Sequence, residues 1–216
     1  MLTHQPGISR RFEGPAMNNT TPSLCVLVLA AGASRRMRGT DKLLEQVDGT
    51  ALLHRVALLA LGTGHPVLLT LPPDSPARHA ALAGLPVQIL TVAAAQEGMA
   101  ASLRAGMAAA PEGSASLLLL ADMPEIDAQD LAAMIHAHCA TPEMILRGAT
   151  AAGRAGHPVL FPAWARQGLM QLEGDSGAKP FLQAHAARIR LVPLPASHAT
   201  TDLDTPEDWA AWRAAR

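Results

Sequence analysis

Two stretches of the sequence hold residues whose types and spacing suit phosphate chemistry. Leu29 to Met37 reads L-A-A-G-A-S-R-R-M, with Lys42 shortly after it. Small residues let backbone amides approach a phosphate, and Arg35, Arg36 and Lys42 add cations suited to the charge that builds on a departing pyrophosphate. The spacing matches neither G-x-G-x-x-G nor a Walker A loop. It reads as a cationic phosphate clamp without a P-loop, although a solvated basic loop after a strand would present the same residues. In the second stretch Asp122 closes an apolar run in A-D-M-P, where a carboxylate is costly unless it reaches the rim and meets a cation. Magnesium, held through one or two carboxylates plus substrate phosphates, would satisfy it. Capping the helix that begins near Asp127 is the alternative role, although Asp127 is itself better placed to cap.

The elements that must position these residues follow from hydrophobic periodicity. Apolar runs short enough for buried strands alternate with helical patterns, which predicts βαβ units and a largely parallel sheet. Strands are expected at 24–29, 67–71, 87–92, 117–121, 144–147, 159–161 and 189–192. Helices are expected from a Thr50 cap to Leu61, ending at Gly62 and Gly64, then at 76–83, 101–110 and 127–139. Two more fit between Pro162 and Ala187, and one opens at Pro206. The expected fold is a three-layer α/β/α sandwich with a mostly parallel, Rossmann-like sheet, its ligand lying across the carboxyl edges of the early strands.

Composition narrows the class. The 216 residues are 49% hydrophobic, enough for one substantial core. A net charge of -1, from 17 basic and 18 acidic residues, gives no global pull toward nucleic acid or an anionic membrane, so phosphate binding must be local. Cys25 and Cys139 lie far apart and read as buried thiols of a reducing, cytoplasmic protein. Residues 1–22 read as a loose tail without an apolar stretch long enough for a signal peptide or membrane anchor. Residues 23–216 show no repeat or linker and form a single expected domain. Trp164, Trp209 and Trp212 sit at helical positions that suit packing. His157, before a proline at a strand start, reads by spacing alone as a surface residue. Glu173 to Lys179 reads either as an acceptor loop or as a turn in which Asp175 caps the next helix.

Five motifs in order resemble the molybdenum cofactor cytidylyltransferases of the MobA-like NTP transferase family, whose fold is of the nucleotide-diphospho-sugar transferase type. They are L-A-A-G-A-S-R-R-M with D-K-L-L, then G-M-A-A-S-L-R-A-G from Gly98, L-L-L-A-D-M-P, G-H-P-V-L-F from Gly156, and D-L-D-T-P-E-D from Asp202. The resemblance covers the chain from about Leu24 to its end. It departs from the usual pattern at Arg38, where relatives have glycine after the methionine, and at Ala100 and Ala101, where they often have glycine or serine.

The resemblance implies a nucleotidyltransferase that moves CMP from CTP, or another NTP, to the phosphate of molybdenum-molybdopterin and releases pyrophosphate. Leu29, Ala30, Ala31 and Gly32 would line the nucleotide, Arg36 and Lys42 would hold its phosphates, and Gly98 with Ser102 would touch base or ribose. Mg2+ would be held by Asp122 and by Asp204, with Asp202 in reserve. His157 would face the acceptor, and an apo-molybdoenzyme would be a transient partner. Rival expectations are a molybdenum cofactor guanylyltransferase, a cytidylyltransferase for another small phosphorylated acceptor such as methylerythritol phosphate, and a non-catalytic nucleotide- or cofactor-binding chaperone for a molybdoenzyme.

Overall fold

A computed structural model describes residues 23–216; the tail expected over residues 1–22 lies outside the described residues. The chain begins with β1 (Leu24–Leu29), a hairpin of β2 (Gln46–Val47) and β3 (Thr50–Ala51), and α1 (Leu52–Leu61). Next come β4 (Val67–Leu71), α2 (Pro76–Ala81), β5 (Gln88–Thr91), α3 (Met99–Ala109), β6 (Ala115–Leu120) and α4 (Ala128–Ala140). The second half holds β7 (Ile145–Ala149), β8 (Ala155–Phe161), α5 (Arg166–Leu169), α6 (Lys179–Ala184), β9 (Ile189–Pro193) and α7 (Pro206–Ala214).

Seven strands form one sheet in the order β5-β4-β1-β6-β8-β7-β9. All neighbours pair in parallel except at β8, which runs against both β6 and β7. The central strands are apolar along their whole length because both faces are covered. Val26, Val28, Leu117 and Leu119 pack with Leu52, Leu53, Leu131, Met134 and Trp209 from α1, α4 and α7. Cys25, Leu27 and Leu118 face the other way and meet Leu103, Met107, Leu169 and Phe181 from α3, α5 and α6. This is the three-layer sandwich that the alternating pattern implied.

Local differences have physical reasons. Thr50 does not cap α1: it lies in β3, and Ala51 occupies the N-cap with no side-chain hydrogen bond. Asp48 and Gly49 join β2 to β3 with φ of 51° and 79°, the left-handed turn that an Asp-Gly pair favours. Asp175 caps nothing either, since α6 starts after Ala178 without a side-chain cap. Asp127 does cap α4, in a capping box with Asp130, which removes the helix-cap role from Asp122. Cys25 is buried as expected, but Cys139 is exposed near the end of α4. No helix among the described residues is long and apolar enough to cross a membrane.

Candidate active site

The site lies where β1 and β6 end side by side. Leu29 pairs with Leu120, so the segments after these strands leave the sheet at one edge. Met37, 2% exposed, anchors the first segment in the core, and a short 3-10 turn over Arg35–Met37 is flanked by left-handed Ser34 and Arg38. Arg38 has φ 52°, a conformation that costs an L-residue energy and glycine almost nothing. That conformation suits the glycine that the resemblance expects at this position, and Arg38 adopts it while pairing with Glu207 at 2.7 Å.

Lys42 opens a second 3-10 turn, Lys42–Leu44, which Asp41 caps by accepting from the Leu43 amide. Its Nζ donates to Asp122 Oδ2 at 2.5 Å and to Asp204 Oδ1 at 2.6 Å. Arg36 Nη1 lies 2.8 Å from Asp204 Oδ2. Asp204 reaches the site because the Leu203 amide donates to the Asp122 carbonyl at 3.2 Å. Asp208, in the first turn of α7, accepts from the Asp204 amide and fixes it further. The Lys42, Asp122 and Asp204 side chains are mostly buried, whereas that of Arg36 is 71% exposed. Burial alone would lower the Lys42 pKa, but the Asp122 and Asp204 carboxylates outweigh it and hold the ammonium above its ordinary value.

Asp202 lies near enough to feel the charge of the cluster but makes no hydrogen bond or salt bridge to its side chains. Burial and the negative charges of Asp204 and Asp122 raise its pKa. Lys42 pairs with Asp122 and Asp204 and Arg36 with Asp204, Asp202 adds a third negative charge nearby, and Asp122 Oδ1 is buried with no hydrogen-bond partner. Surplus negative charge and an orphan carboxylate oxygen are a donor set that suits a hard divalent cation. The residues present therefore fit magnesium or manganese.

Other expected residues stand apart from the cluster. Ala30 and Ala31 are buried. The Ala30 amide donates to the Thr70 carbonyl, and its carbonyl accepts from Arg78, so its backbone is already occupied. Gly32 is exposed and offers open backbone. Gly98 precedes α3 with φ 110°, and a Cβ there would fall 1.8 Å from Asp175 Oδ1. Its glycine is thus required by the close approach of 174–175, where the Gly174 carbonyl also accepts from the Ala100 amide. Ser102 is 5% exposed within α3. Among the described residues no hydrogen bond joins Gly98 or Ser102 to the Lys42 cluster.

His157 begins β8 beside Gly156, where a Cβ would meet the Ala199 carbonyl oxygen at 1.7 Å. Because β8 runs antiparallel, its first residues share the edge where β1 and β6 end. Burial and the charge of Arg147 lower the His157 pKa to about 4, although Asp122 acts in the opposite direction. The imidazole is neutral at physiological pH. Between the ordinary value of 6.5 and the folded value, the unfolded chain binds a proton that the folded chain refuses. Stability from this group is complete above the ordinary value and declines as pH falls through the window. Unfolding in urea should show wild type losing about 2 kcal/mol more than His157→Gln between pH 7 and pH 5; parallel pH profiles would show that His157 refolds its environment around the proton.

Three residues outside the expected set brace the site. Arg78, on α2 and 4% exposed, donates from Nε to Asp41 Oδ2 at 2.6 Å and from Nη2 to Asp41 Oδ1 at 2.9 Å. It also reaches the Ala30 carbonyl at 2.6 Å and Ser34 Oγ at 3.2 Å. This bidentate pair ties both ends of the segment between β1 and Lys42 to a helix from another βαβ unit. The usable signal was the place of α2, which opens at the carboxyl edge of β4, where open α/β sheets put ligands.

A family model for the MobA-like NTP transferase domain matches residues 26–189. The chain belongs to that family of nucleotidyltransferases. This MobA-like chain is also 27% identical over 194 residues to nicotine blue oxidoreductase of Paenarthrobacter nicotinovorans, covering 86% of the chain and 94% of that protein. It superposes on Rv0371c of Mycobacterium tuberculosis H37Rv with a TM-score of 0.76 and 30% identity, covering 89% of this chain and 98% of that one. Rv0371c has also been solved with manganese, at TM-score 0.72 and 28% identity over 88% of this chain and 97% of that one. The fold is shared with CMP:2-keto-3-deoxy-manno-octonic acid synthetase complexed with CTP, at TM-score 0.70 and 16% identity over 89% of this chain and 98% of that one.

Proposed function

We propose that this MobA-like chain is a cytidylyltransferase that moves CMP from CTP to the phosphate of molybdenum-molybdopterin, giving the cytosine dinucleotide form of the cofactor. The observation that carries nucleotidyl transfer is Lys42 shared between Asp122 and Asp204, with Arg36 on the second carboxylate. An oxygen of the acceptor phosphate attacks the α-phosphorus, the bond from the α-phosphorus to the bridging oxygen breaks, and pyrophosphate leaves with that electron pair. Arg36 and Lys42 supply positive charge to the leaving group. No side chain needs to remove a proton, because a phosphate monoester with a second pKa near ~6 is largely ionised at neutral pH. Asp122, Asp204 and Asp202 would hold Mg2+, which when bound neutralises charge on the reacting phosphates. The family's phosphate chemistry and the five motifs support the acceptor; the L-A-A-G of Leu29 to Gly32, where guanylyltransferase relatives typically have L-A-G-G, favours cytosine.

The test is product mass after incubation with each of the four NTPs and reduced molybdenum cofactor, with pyrophosphate release followed in parallel. CTP should exceed GTP in kcat/KM by about tenfold or more, which requires about 1.4 kcal/mol of differential transition-state binding. Equal values would remove the base preference and leave the reaction class. Lys42→Ala should lower turnover by roughly a hundredfold, the order expected for one lost charge-stabilising donor, while CMP affinity by calorimetry stays near wild type. A large loss of CMP affinity in a folded variant would assign Lys42 to the base or ribose. An oxidoreductase is the second reading, favoured by the nicotine blue oxidoreductase relative. Pyrophosphate release that requires acceptor would exclude both it and a non-catalytic carrier.

A further inference from the structure

Arg147 is a half-buried cation that the transferase chemistry leaves unused. It sits in β7 opposite Val159 of β8, two residues beyond His157, and Val159 packs with Leu103 and Phe161. Among the described residues Arg147 makes no salt bridge. Its Nη2 donates over 3.4 Å to the Gly156 carbonyl, and its Nε is buried with no partner. Burial pulls its pKa down, yet a guanidinium stays charged throughout the range in which proteins fold.

His157 Nδ1 is likewise buried without a partner. Two neighbouring side chains therefore present unpaired nitrogens, and a buried unpaired polar group costs about 1–3 kcal/mol unless something completes it. The completing group is an anion. A guanidinium is planar and matches two oxygens of a phosphate, and a neutral imidazole in its Nδ1–H tautomer can donate to a third. A phosphate offers a separate oxygen to each of these donors, where a carboxylate must share its two. Leu118 of β6 pairs with Val159 of β8 in antiparallel register, so His157 lies toward the end of β6 that leads to Asp122, whose charge reaches the same imidazole.

We infer that Arg147 and His157 form a receptor for the phosphate of a phosphomonoester acceptor, presenting that phosphate beside Asp122. The identity of the occupant as acceptor rests on the transferase reading; the anion site itself does not. Arg36 and Lys42 then serve the nucleotide's phosphates and Arg147 the incoming one, so donor and acceptor are held by different cations.

The test uses inorganic phosphate as the probe. In the full-length protein labelled with 15N at arginine Nε, the Arg147 Nε–H resonance is assigned by its loss in Arg147→Lys or Arg147→Gln. Phosphate should shift that resonance saturably. By calorimetry, Arg147→Gln should weaken phosphate binding by about tenfold or more and the surface variant Arg55→Gln, whose arginine pairs with Asp48, by less than about twofold, as expected when a charge-assisted pair is lost at one site only. An Arg147 resonance that phosphate leaves in place would overturn the receptor, as would equal affinity in wild type and a folded Arg147→Gln. The wild-type titration decides the matter even where a variant fails to fold. A saturable Arg147 shift in a protein that releases no pyrophosphate from any NTP would keep the anion site and remove the transferase.

Discussion

Asp122→Asn should fold as wild type and lose turnover by about a hundredfold or more, because charge stabilisation at a metal-assisted phosphoryl centre is worth several kcal/mol. The side chain stands two residues beyond the end of β6, a central strand, and one of its oxygens is on Lys42 while the other is buried and unpartnered. Asparagine keeps the shape but leaves Lys42 balanced by Asp204 alone. A capping role would have made this exchange nearly silent, since Asn and Asp cap equally well, but that role belongs to Asp127. The measurement is kcat across a magnesium titration, with the melting temperature as the folding control. Wild-type kcat at saturating magnesium would overturn the assignment of Asp122. Activity recovered only at much higher magnesium would support a weakened ion site still held by Asp204 or Asp202.

Arg78→Ala should cost about 3 kcal/mol of stability, the lower end of the range for breaking a buried ion pair, because the Asp41 side chain keeps 26% exposure. The loss falls on the segment that sets Lys42, so nucleotide binding should weaken as well. Burial opposes ionisation of Asp41, but the Arg78 hydrogen bond and charge, with the Leu43 amide and Ser34, bring its pKa below the ordinary carboxylate value. A folded-state pKa below the unfolded one gives stability that is complete above the unfolded value and lost as pH falls through the folded one. The wild-type advantage should therefore be flat near neutrality and shrink below about pH 4. Urea denaturation at several pH values measures it; a gap that stays constant into strong acid would mean that packing of the arginine stem, and not its charge, does the holding.

Much of this was legible in the sequence, and the residues that escaped show why. Strands β1, β4 and β6 are mostly apolar runs bounded by polar or small residues, and the limits of β1 and β4 could be read to the residue and those of β6 to within two. Asp122 could be nominated because it stands just beyond an apolar strand, Lys42 because it joins two arginines after the small residues that follow β1, and Asp204 only through the motif that resembles the family's. The β2–β3 hairpin was missed although Asp48-Gly49 announces it, because strands of two residues carry no periodicity to detect. Arg78, Asp41 and Arg147 were missed for another reason. Each is significant through a partner, or the lack of one, across the fold, and pairing at such distance leaves no local trace. Cys139 was misplaced because α4 is apolar over a wide face, which blurs its solvent side.

The reversed strand has a consequence for how such a chain can change. Parallel strands deliver to the site only the segments that follow them, and here those segments carry Arg36, Lys42 and Asp122. β8 alone arrives by its beginning, bringing Gly156 and His157 to the same rim from the hairpin that links it to β7. That hairpin, residues 150–154, can lengthen or change composition without moving the βαβ units on the other side of β6. Under the proposed function, a lineage could exchange the acceptor half of the reaction's specificity while inheriting the nucleotide half intact, with the boundary along the antiparallel hydrogen bonds between β6 and β8.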